Sequence, residues 1–557
     1  MRMPQQYTTL AEVPEHIRKK LEQYVTAVGG STFVITGLPS ELTGGVLARY
    51  SRAPTGLQLT LVNEFLDEKG DPCPAKGTAI MDRVLNAFGD ESVGELEGTH
   101  VGIEDISQLA TKGIEDRRIG GSPIEQSTRY VKYDQKDEQG RWRYLRPEEI
   151  MESGLGEKFE RANDQAFTVY QEGVRRLIPH FEREFPRERF QIEGERKGQR
   201  VKLYEKDLNT DKERKEFNNG YRFTIRCAAL DVGRCTLPSS TLTHIGVYGN
   251  GRFFTHLITS LKSSPLREEQ ERGSDLEREI NKVIPTFIKR NRINPQIAET
   301  TQRMQVIAQK YFSGIAPTDE RITLVPRAEY FQEVLASAVF PYTNLSLPQI
   351  HERIQTLSTE ERRSILEQYI GRRETRRNRS GRGLEAGYPL TFDLVGGFAE
   401  YRDLERHRIL TQQRQALTTE LGFIMPPEMK IIGLEEEVNA VVEKIEDLNS
   451  DLRHAGLTAT SQYATLFNHR LRFMFGMNLR EFQHLSELRT QPAGHFSYRS
   501  MVMDMAKKVT EAYPWAQLAY GHVDYSDQGN KISRAREQSR ISGKNLALGI
   551  DGERDLR

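Results

Sequence analysis

Two stretches of this chain carry related landmarks in the same order, and that repetition constrains the fold more than any other feature. In the first, an arginine-rich turn, Arg117-Arg118, runs into Glu125-Gln126-Ser127-Thr128-Arg129-Tyr130, and Asn250-Gly251-Arg252 follows with aromatic residues behind it. In the second, Arg406-His407-Arg408 is followed by Asn478-Leu479-Arg480, again on an aromatic-rich segment with helical periodicity. Arg117 to Asn250 is 133 positions and Arg406 to Asn478 is 72, a difference of 61. An almost wholly charged stretch between Pro179 and Asn219, with its flanks, accounts for a difference of that size. The expectation is a divergent internal duplication whose halves superpose.

The 557 residues are ample for two such halves, since about 150 residues suffice for a domain. The chain holds 79 basic and 79 acidic residues, so its net charge of zero argues against general coating of nucleic acid and leaves local basic pockets open. No apolar run reaches the roughly 18 residues a membrane helix needs. The first twenty residues lack the apolar core of a secretory signal. Cys73, Cys227 and Cys235 are too few and too scattered for a disulfide framework or a four-thiolate zinc site, so no metal is expected and a cytoplasmic protein is.

Periodicity gives a coarse layout. Pro14 opens a helix carrying Ile17, Leu21 and Val25; Phe33-Val34-Ile35 reads as a short strand. Leu42 to Phe65 is helical, with a turn at Pro54-Thr55-Gly56, and Ala166–Phe181 is helical. The charged stretch 180–219 reads as a solvated hairpin or extended insertion. A polar region, about 294–348, separates the halves and contains a packed helix over Phe331–Phe340; Pro389 to Val395 is a strand or buried run. The segment after Tyr525 has no apolar periodicity and is expected to be a mobile tail.

Three residue sets could carry chemistry. Arg406, His407 and Arg408 cannot share one helical face, because neighbours differ by about 100°. At a helix end they fan outward and can grip a polyanion such as a pyrophosphate. Upstream, Arg372 to Arg382 holds a dense arginine cluster with a single Glu, so an anionic partner is plausible there too. On an extended segment Glu125, Ser127 and Arg129 fall on one side, offering a carboxylate, a hydroxyl and a guanidinium to a nucleotide monophosphate. The same spacing equally allows an internal Glu–Arg pair bracing a loop. Arg489 ends a helical pattern of Phe482, Leu485 and Leu488, where a cation is common for purely electrostatic reasons.

These residues resemble a known family. Flavin-dependent thymidylate synthases carry a motif of the form RHR-x2-S-x-N-E-x-S-x-R-Y, and this chain is similar to two diverged copies of that fold. Arg406-His407-Arg408 matches its first end, with Thr411 at the Ser position, and Glu125, Ser127, Arg129 and Tyr130 match its last. Asn478, Arg480 and Arg489 resemble the family's later helix, and Asn250 with Arg252 resembles the same element in the first copy. Asp90-Glu91-Ser92 with Glu95 is similar to the segment before the first motif. The resemblance implies an α+β fold, helices packed around an antiparallel sheet, in two tandem copies: 1–295 with the charged insertion, a connection over 296–348, a second copy over 349–524 and a polar tail over 525–557.

The departures are complementary. The first copy has Arg117-Arg118-Ile119 where the RHR triplet should stand, and the second has Arg414-Gln415 and Thr418-Thr419 where S-x-R-Y should. Leu261 and His244 fall where the family's dUMP-binding arginines would be in the first copy, whereas Arg472 and Arg489 keep them in the second. Family members are homotetramers with sites assembled from several subunits, so a homodimer of this chain would form a pseudo-tetramer. The resemblance implies reductive methylation of dUMP with FAD, and with methylenetetrahydrofolate and NADPH as co-substrates. It makes Arg489 catalytic and Glu125, Ser127, Arg129, Arg472 and Arg489 substrate-binding. Cofactor-binding roles fall to Arg406, His407, Arg408, Asn478, Arg480, Ser92, Glu95, Asn250 and Arg252. Alternatives are a relative acting on another uracil-containing nucleotide and a non-catalytic nucleic-acid-binding relative; neither a membrane nor nucleic acid is the expected partner.

Overall fold

The computed structural model describes residues 7–51, 53–78, 95–117, 119–288, 293–325, 330–372, 381–386, 390–514, 517 and 520–548. Among them lie strands β1 (Gly98–Ser107), β2 (Gly121–Glu125), β3 (Gln191–Arg196), β4 (Gln199–Tyr204), β5 (Leu242–Asn250), β6 (Ile322–Leu324), β7 (Leu390–Gly397), β8 (Thr411–Arg414) and β9 (Arg470–Met477). They form the sheets β1-β5-β2 and β6-β7-β9-β8 and the hairpin β3-β4.

The two larger sheets are built alike, which is the duplication seen in the backbone. In each, the central strand is the last in chain order (β5, β9), flanked by a long strand (β1, β7) and by a shorter one between them in sequence (β2, β8). The short strand runs antiparallel to the centre in both, with Gly121 opposite Gly249 and Thr411 opposite Gly476. Each central strand then delivers an asparagine that starts a helix. Asn250 Oδ1 accepts the Phe253 N–H at 2.8 Å, opening the helix Gly251–Lys262; Asn478 Oδ1 accepts the Glu481 N–H at 2.9 Å, opening Leu479–Arg489. The first helix buries Phe253, Phe254, Leu257, Ile258 and Leu261, a stripe of helical period. Gly121 and Gly249 make room for it, since a Cβ at either would lie 2.3 Å from the Phe253 ring.

The chain forms two compact units, neither continuous in sequence. The first comprises Met1–Glu104, Gly113–Glu125 and His244–Ala298; the second Asp105–Lys112, Gln126–Thr243 and Glu299–Arg557. In the first, Pro14 precedes the helix Glu15–Leu21, and the expected 42–65 helix is divided into Ser40–Tyr50 and Leu57–Thr60, the latter running on to Phe65. Leu21, Val25, Leu42, Val46, Leu61 and Phe65 form a core there. The strand expected over 33–35 is instead a single bridge between Val25 and Ile35: Val34 is exposed, and so short a segment without a second neighbour makes no ladder.

In the second unit, the helix expected over 166–181 runs over Gly156–Glu184 and buries Phe159, Phe167, Tyr170, Val174, Leu177 and Phe181. It packs against the helices Asp211–Gly233 and Glu435–His454, one from each half of the sequence. Of the charged stretch 180–219 only Gln191–Tyr204 forms the hairpin β3-β4, its two ends belonging to the helices Gly156–Glu184 and Asp211–Gly233, and the helix Tyr330–Val339 belongs to a core with Met304, Phe340, Ile350 and Met474. The segment after Tyr525 is not a mobile tail: it contains the helix Arg534–Leu548, packed on β3 and on Asp211–Gly233. Its inward residues are Arg534, Gln538, Ser539 and Ser542, so no apolar period announces it. Among the described residues no helix is long and apolar enough to cross a membrane.

Candidate active site

The Arg406-His407-Arg408 triplet follows the helix Phe398–Leu404, and its side chains diverge as consecutive residues at a helix end must. Arg406 and Arg408 are exposed and His407 is buried. His407 joins the triplet to the later helix: its Nδ1 lies 3.0 Å from Glu481 Oε1, and its Nε2 accepts from Arg489 Nε at 2.9 Å. Arginine only donates, so these partners assign the neutral Nδ1–H tautomer. Burial, opposed by Glu481 and assisted by Arg489, holds the His407 pKa below that of an ordinary imidazole. Arg489 closes the helix that Asn478 opens, its guanidinium 5.9 Å from the centre of the Tyr498 ring.

Arg129, from the first half of the sequence, lies 5.9 Å from the same ring. It does not pair with Glu125. It makes a two-pronged bond to Asp231, Nε to Oδ1 at 2.8 Å and Nη2 to Oδ2 at 2.9 Å, and Nη2 also donates to the Ala493 carbonyl at 3.3 Å. Beside it, Arg234 donates to Asp403 Oδ2 at 2.9 Å and to Thr128 Oγ1 at 3.2 Å, and Arg406 lies 3.7 Å from the other Asp403 oxygen. Burial alone would raise the Asp403 pKa, but Arg234, then Arg129 and Arg406, hold it far below the usual carboxylate range. Asp231 is likewise held low by Arg129 against its burial. A carboxylate core thus anchors arginines from both halves. Arg489 Nη1 and Nη2 and Arg129 Nη1 have no partner among the described residues, so these donors remain for a ligand.

His495 completes this cluster. Its Nδ1 accepts from the Ser497 N–H at 3.1 Å and its Nε2 lies 3.1 Å from the Asp231 carbonyl oxygen, which fixes a neutral Nε2–H ring. A second proton on Nδ1 would face a backbone donor. Burial, then Arg234, pushes its pKa down to about 3. An unfolded histidine titrates near pH 6.5, so this contribution is complete above that pH and is lost progressively as the pH falls. Going from pH 8 to pH 5 should cost about 2 kcal/mol through this one ring. Urea midpoints of the wild type and of His495→Gln over that range check it: the variant's curve should be flatter, and equal slopes would refute the assignment.

The remaining expected site residues are placed differently. Ser127 and Arg129 do not continue the extended segment. β2 ends at Glu125, which is buried, and the chain turns, with the Ser127 carbonyl accepting from the Tyr130 and Val131 N–H groups and Ser127 Oγ from the Arg129 N–H. Arg472 is not presented to a ligand: it lies in the middle of β9, 1% exposed, with Nη1 on Asp393 at 2.8 Å and Nη2 on the Thr318 carbonyl. Asn478 and Asn250 serve as helix caps. Arg252 and Glu95 pair with each other in the first unit. Helix Leu479–Arg489 carries Arg480, while Ser92 and the arginines between Arg372 and Arg382 lie outside the described residues. Near Glu95, burial and then Glu41 push the Glu97 carboxyl up to about 8. Asp231, Arg234, Asp403, His495 and Tyr498 were not singled out by sequence, because each is an isolated polar residue whose partner is far along the chain.

Both halves of the chain are similar to known proteins. The family described as thymidylate synthase complementing protein (Thy1) matches residues 48–286 and 349–515. A UPF0159 protein of Chlamydia muridarum is 34% identical over 546 residues, covering 94% of this chain and 97% of that protein. A UPF0159 protein of Chlamydia pneumoniae is 33% identical over 528 residues (91% and 94%), and UPF0159 protein Ta1429 of Thermoplasma acidophilum is 31% identical over 497 (87% and 95%). Among solved structures, flavin-dependent thymidylate synthase ThyX from Helicobacter pylori, complexed with FAD and dUMP, matches 44% of this chain and 93% of its own, at 14% identity and a TM-score of 0.23.

Proposed function

This chain belongs to the thymidylate synthase complementing protein (Thy1) family, and from that premise we propose that it catalyses FAD-dependent reductive methylation of dUMP to dTMP, with methylenetetrahydrofolate and NADPH as co-substrates. The observation that carries the reading is the meeting of Arg129 and Arg489 on the Tyr498 ring, each with guanidinium donors left for an anion. A nucleotide monophosphate is an anion of that kind, and its pyrimidine carbonyl is a second acceptor. In this reading the two halves divide one site: the first supplies Ser127 and Arg129, the second the triplet and Arg489. A homodimer would then assemble the pseudo-tetramer.

The donor set of the triplet fits a flavin dinucleotide. Arg406 and Arg408 stand exposed on a turn at a helix end, where two guanidinium groups can bracket a pyrophosphate, and His407 braces that turn against Glu481. When bound, FAD supplies the relay of the one-carbon unit and of reducing equivalents. The protein supplies orientation and electrostatics. Arg129 Nη1 binds the phosphate, the Ser127 hydroxyl the ribose, and Arg489 polarises the pyrimidine carbonyl as the ring gains negative character. The neutral His407 ring, accepting from Arg489 Nε, fixes the direction in which the Arg489 fork points.

The test has two stages. Purified protein incubated with FAD should turn yellow, and should release tritium from 5-tritiated dUMP when methylenetetrahydrofolate and NADPH are present. Protein that stays colourless would overturn the flavoenzyme reading; yellow protein that releases no tritium would overturn the choice of dUMP.

A further inference from the structure

The family match ends at residue 515, yet among the described residues beyond it the segment 522–534 bonds to the neighbours of the arginines just described. From His522 to Arg534 it pins two places. At the end of the Arg489 helix, Glu487 Oε1 accepts from the His522 N–H at 3.1 Å and Thr490 Oγ1 accepts from the Asp524 N–H at 3.0 Å. At the turn ahead of helix Phe496–Ala512, consecutive strap residues hold consecutive carbonyls: Ser533 Oγ donates to Pro492 at 3.2 Å, and Arg534 Nη2 donates to Ala493. The Ala493 carbonyl is the one that also accepts from Arg129. Arg534 Nη2 further donates to the Tyr130 hydroxyl at 2.9 Å, with its guanidinium 4.9 Å from the Tyr130 ring centre and 5.7 Å from that of Phe223. Arg499, 1% exposed, ties the strap down by donating to Ser533 Oγ at 2.6 Å and to the Thr490 carbonyl at 2.9 Å.

We propose that residues 522–534 form a strap that sets Arg129 and Arg489 in register for the nucleotide, with Arg534 as its principal positioning residue; this rests on the reading of the site given above. Arg534 need not touch the ligand. It shares the Ala493 carbonyl with Arg129 and clamps Tyr130, the next residue in the turn, so it fixes where the Arg129 fork points. The polar composition of this segment follows from that task. Its inward side chains must reach carbonyls, a hydroxyl and a guanidinium, and apolar residues cannot.

The test compares full-length wild type with Arg534→Ala and, as a milder change that keeps the packing, Tyr130→Phe. Two quantities are measured: dUMP affinity by calorimetry on the FAD-loaded protein, and hydrogen exchange of the Tyr130 and Val131 amides. The expected result is an affinity about tenfold weaker for Arg534→Ala and about threefold weaker for Tyr130→Phe, in line with hydrogen bonds to a charged group. FAD absorbance should stay the same, because the triplet is not held by Arg534, and the two amides should exchange about tenfold faster in Arg534→Ala. A merely structural role would lower flavin loading and nucleotide affinity together and would overturn the proposal, as would an affinity within twofold of wild type. If wild-type protein binds no dUMP, the reading of the site fails, and the amides then decide the strap alone: unchanged exchange overturns it.

Discussion

Replacing Arg489 by alanine should reduce turnover of dUMP by about 100- to 1000-fold while leaving the FAD absorbance of the protein intact. The two effects separate because the proposed reading gives Arg489 to the nucleotide and the triplet to the flavin. Its Nε is committed to His407 and its Nη groups have no partner among the described residues, so truncation removes the donors that the proposed reading assigns to the pyrimidine. The exposed arginines of the triplet are untouched. Arg489→Lys keeps a positive charge and loses the fork, since one ammonium cannot both donate to His407 Nε2 and present two parallel donors. Its turnover should lie between wild type and alanine, recovering about tenfold of the loss if charge alone carries part of the stabilisation. Single-turnover assays with tritiated dUMP, run beside flavin absorbance, check both variants. An alanine variant that keeps more than a tenth of wild-type turnover would contradict the role given to Arg489.

Why Arg489 was legible in the sequence while its setting was not follows from the range of the interactions. A helix that begins with Asn478, buries Phe482 and Leu485 and ends in an arginine is written in one short run of consecutive residues, and so is its counterpart after Asn250, which ends in a lysine. The divergence of Arg406, His407 and Arg408 at a helix end is equally local. The shared order of the two sheets was legible only as paired landmarks, because strand pairing joins residues more than a hundred positions apart, as Gly121 and Gly249 are. The carboxylates that organise the arginine cluster are just as remote from their partners: Asp231 meets Arg129 across 102 positions and Asp403 meets Arg234 across 169. Nothing in the surroundings of either aspartate marks it. Two expectations went astray for a related reason. Ser127 and Arg129 fit a strand pattern, but hydrogen bonds from the turn's own amides to Ser127 end the strand at Glu125. The C-terminal segment lacks an apolar period because what it buries is polar and finds its partners elsewhere in the chain.

The largest expected effect on stability comes from a pair that sequence gives no hint of. Lys112 Nζ lies 2.8 Å from Glu405 Oε1, and neither side chain has any solvent exposure. Glu405 directly precedes Arg406 and sits 293 positions from Lys112, so the bond ties the base of the triplet to a segment from the other half. Lys112→Met keeps the length and apolar stem of the side chain and removes only the ammonium. The buried carboxylate then loses the ammonium it is bonded to, and breaking a buried pair from one side typically costs about 3–5 kcal/mol. Removing both charges should be far milder, because two apolar residues of similar volume avoid the desolvation cost that the ion pair must offset; Lys112→Met combined with Glu405→Leu should recover most of the loss. The exposed pair Arg363–Glu367 serves as a control, since breaking an ion pair that water already screens should leave the unfolding midpoint unchanged. Urea unfolding of the four proteins, followed by tryptophan fluorescence and far-ultraviolet circular dichroism, distinguishes the outcomes. If Lys112→Met unfolds at the wild-type midpoint, the pair is not what anchors the triplet; if the double variant is as weak as the single, the site needs the charges themselves and not merely their mutual neutralisation.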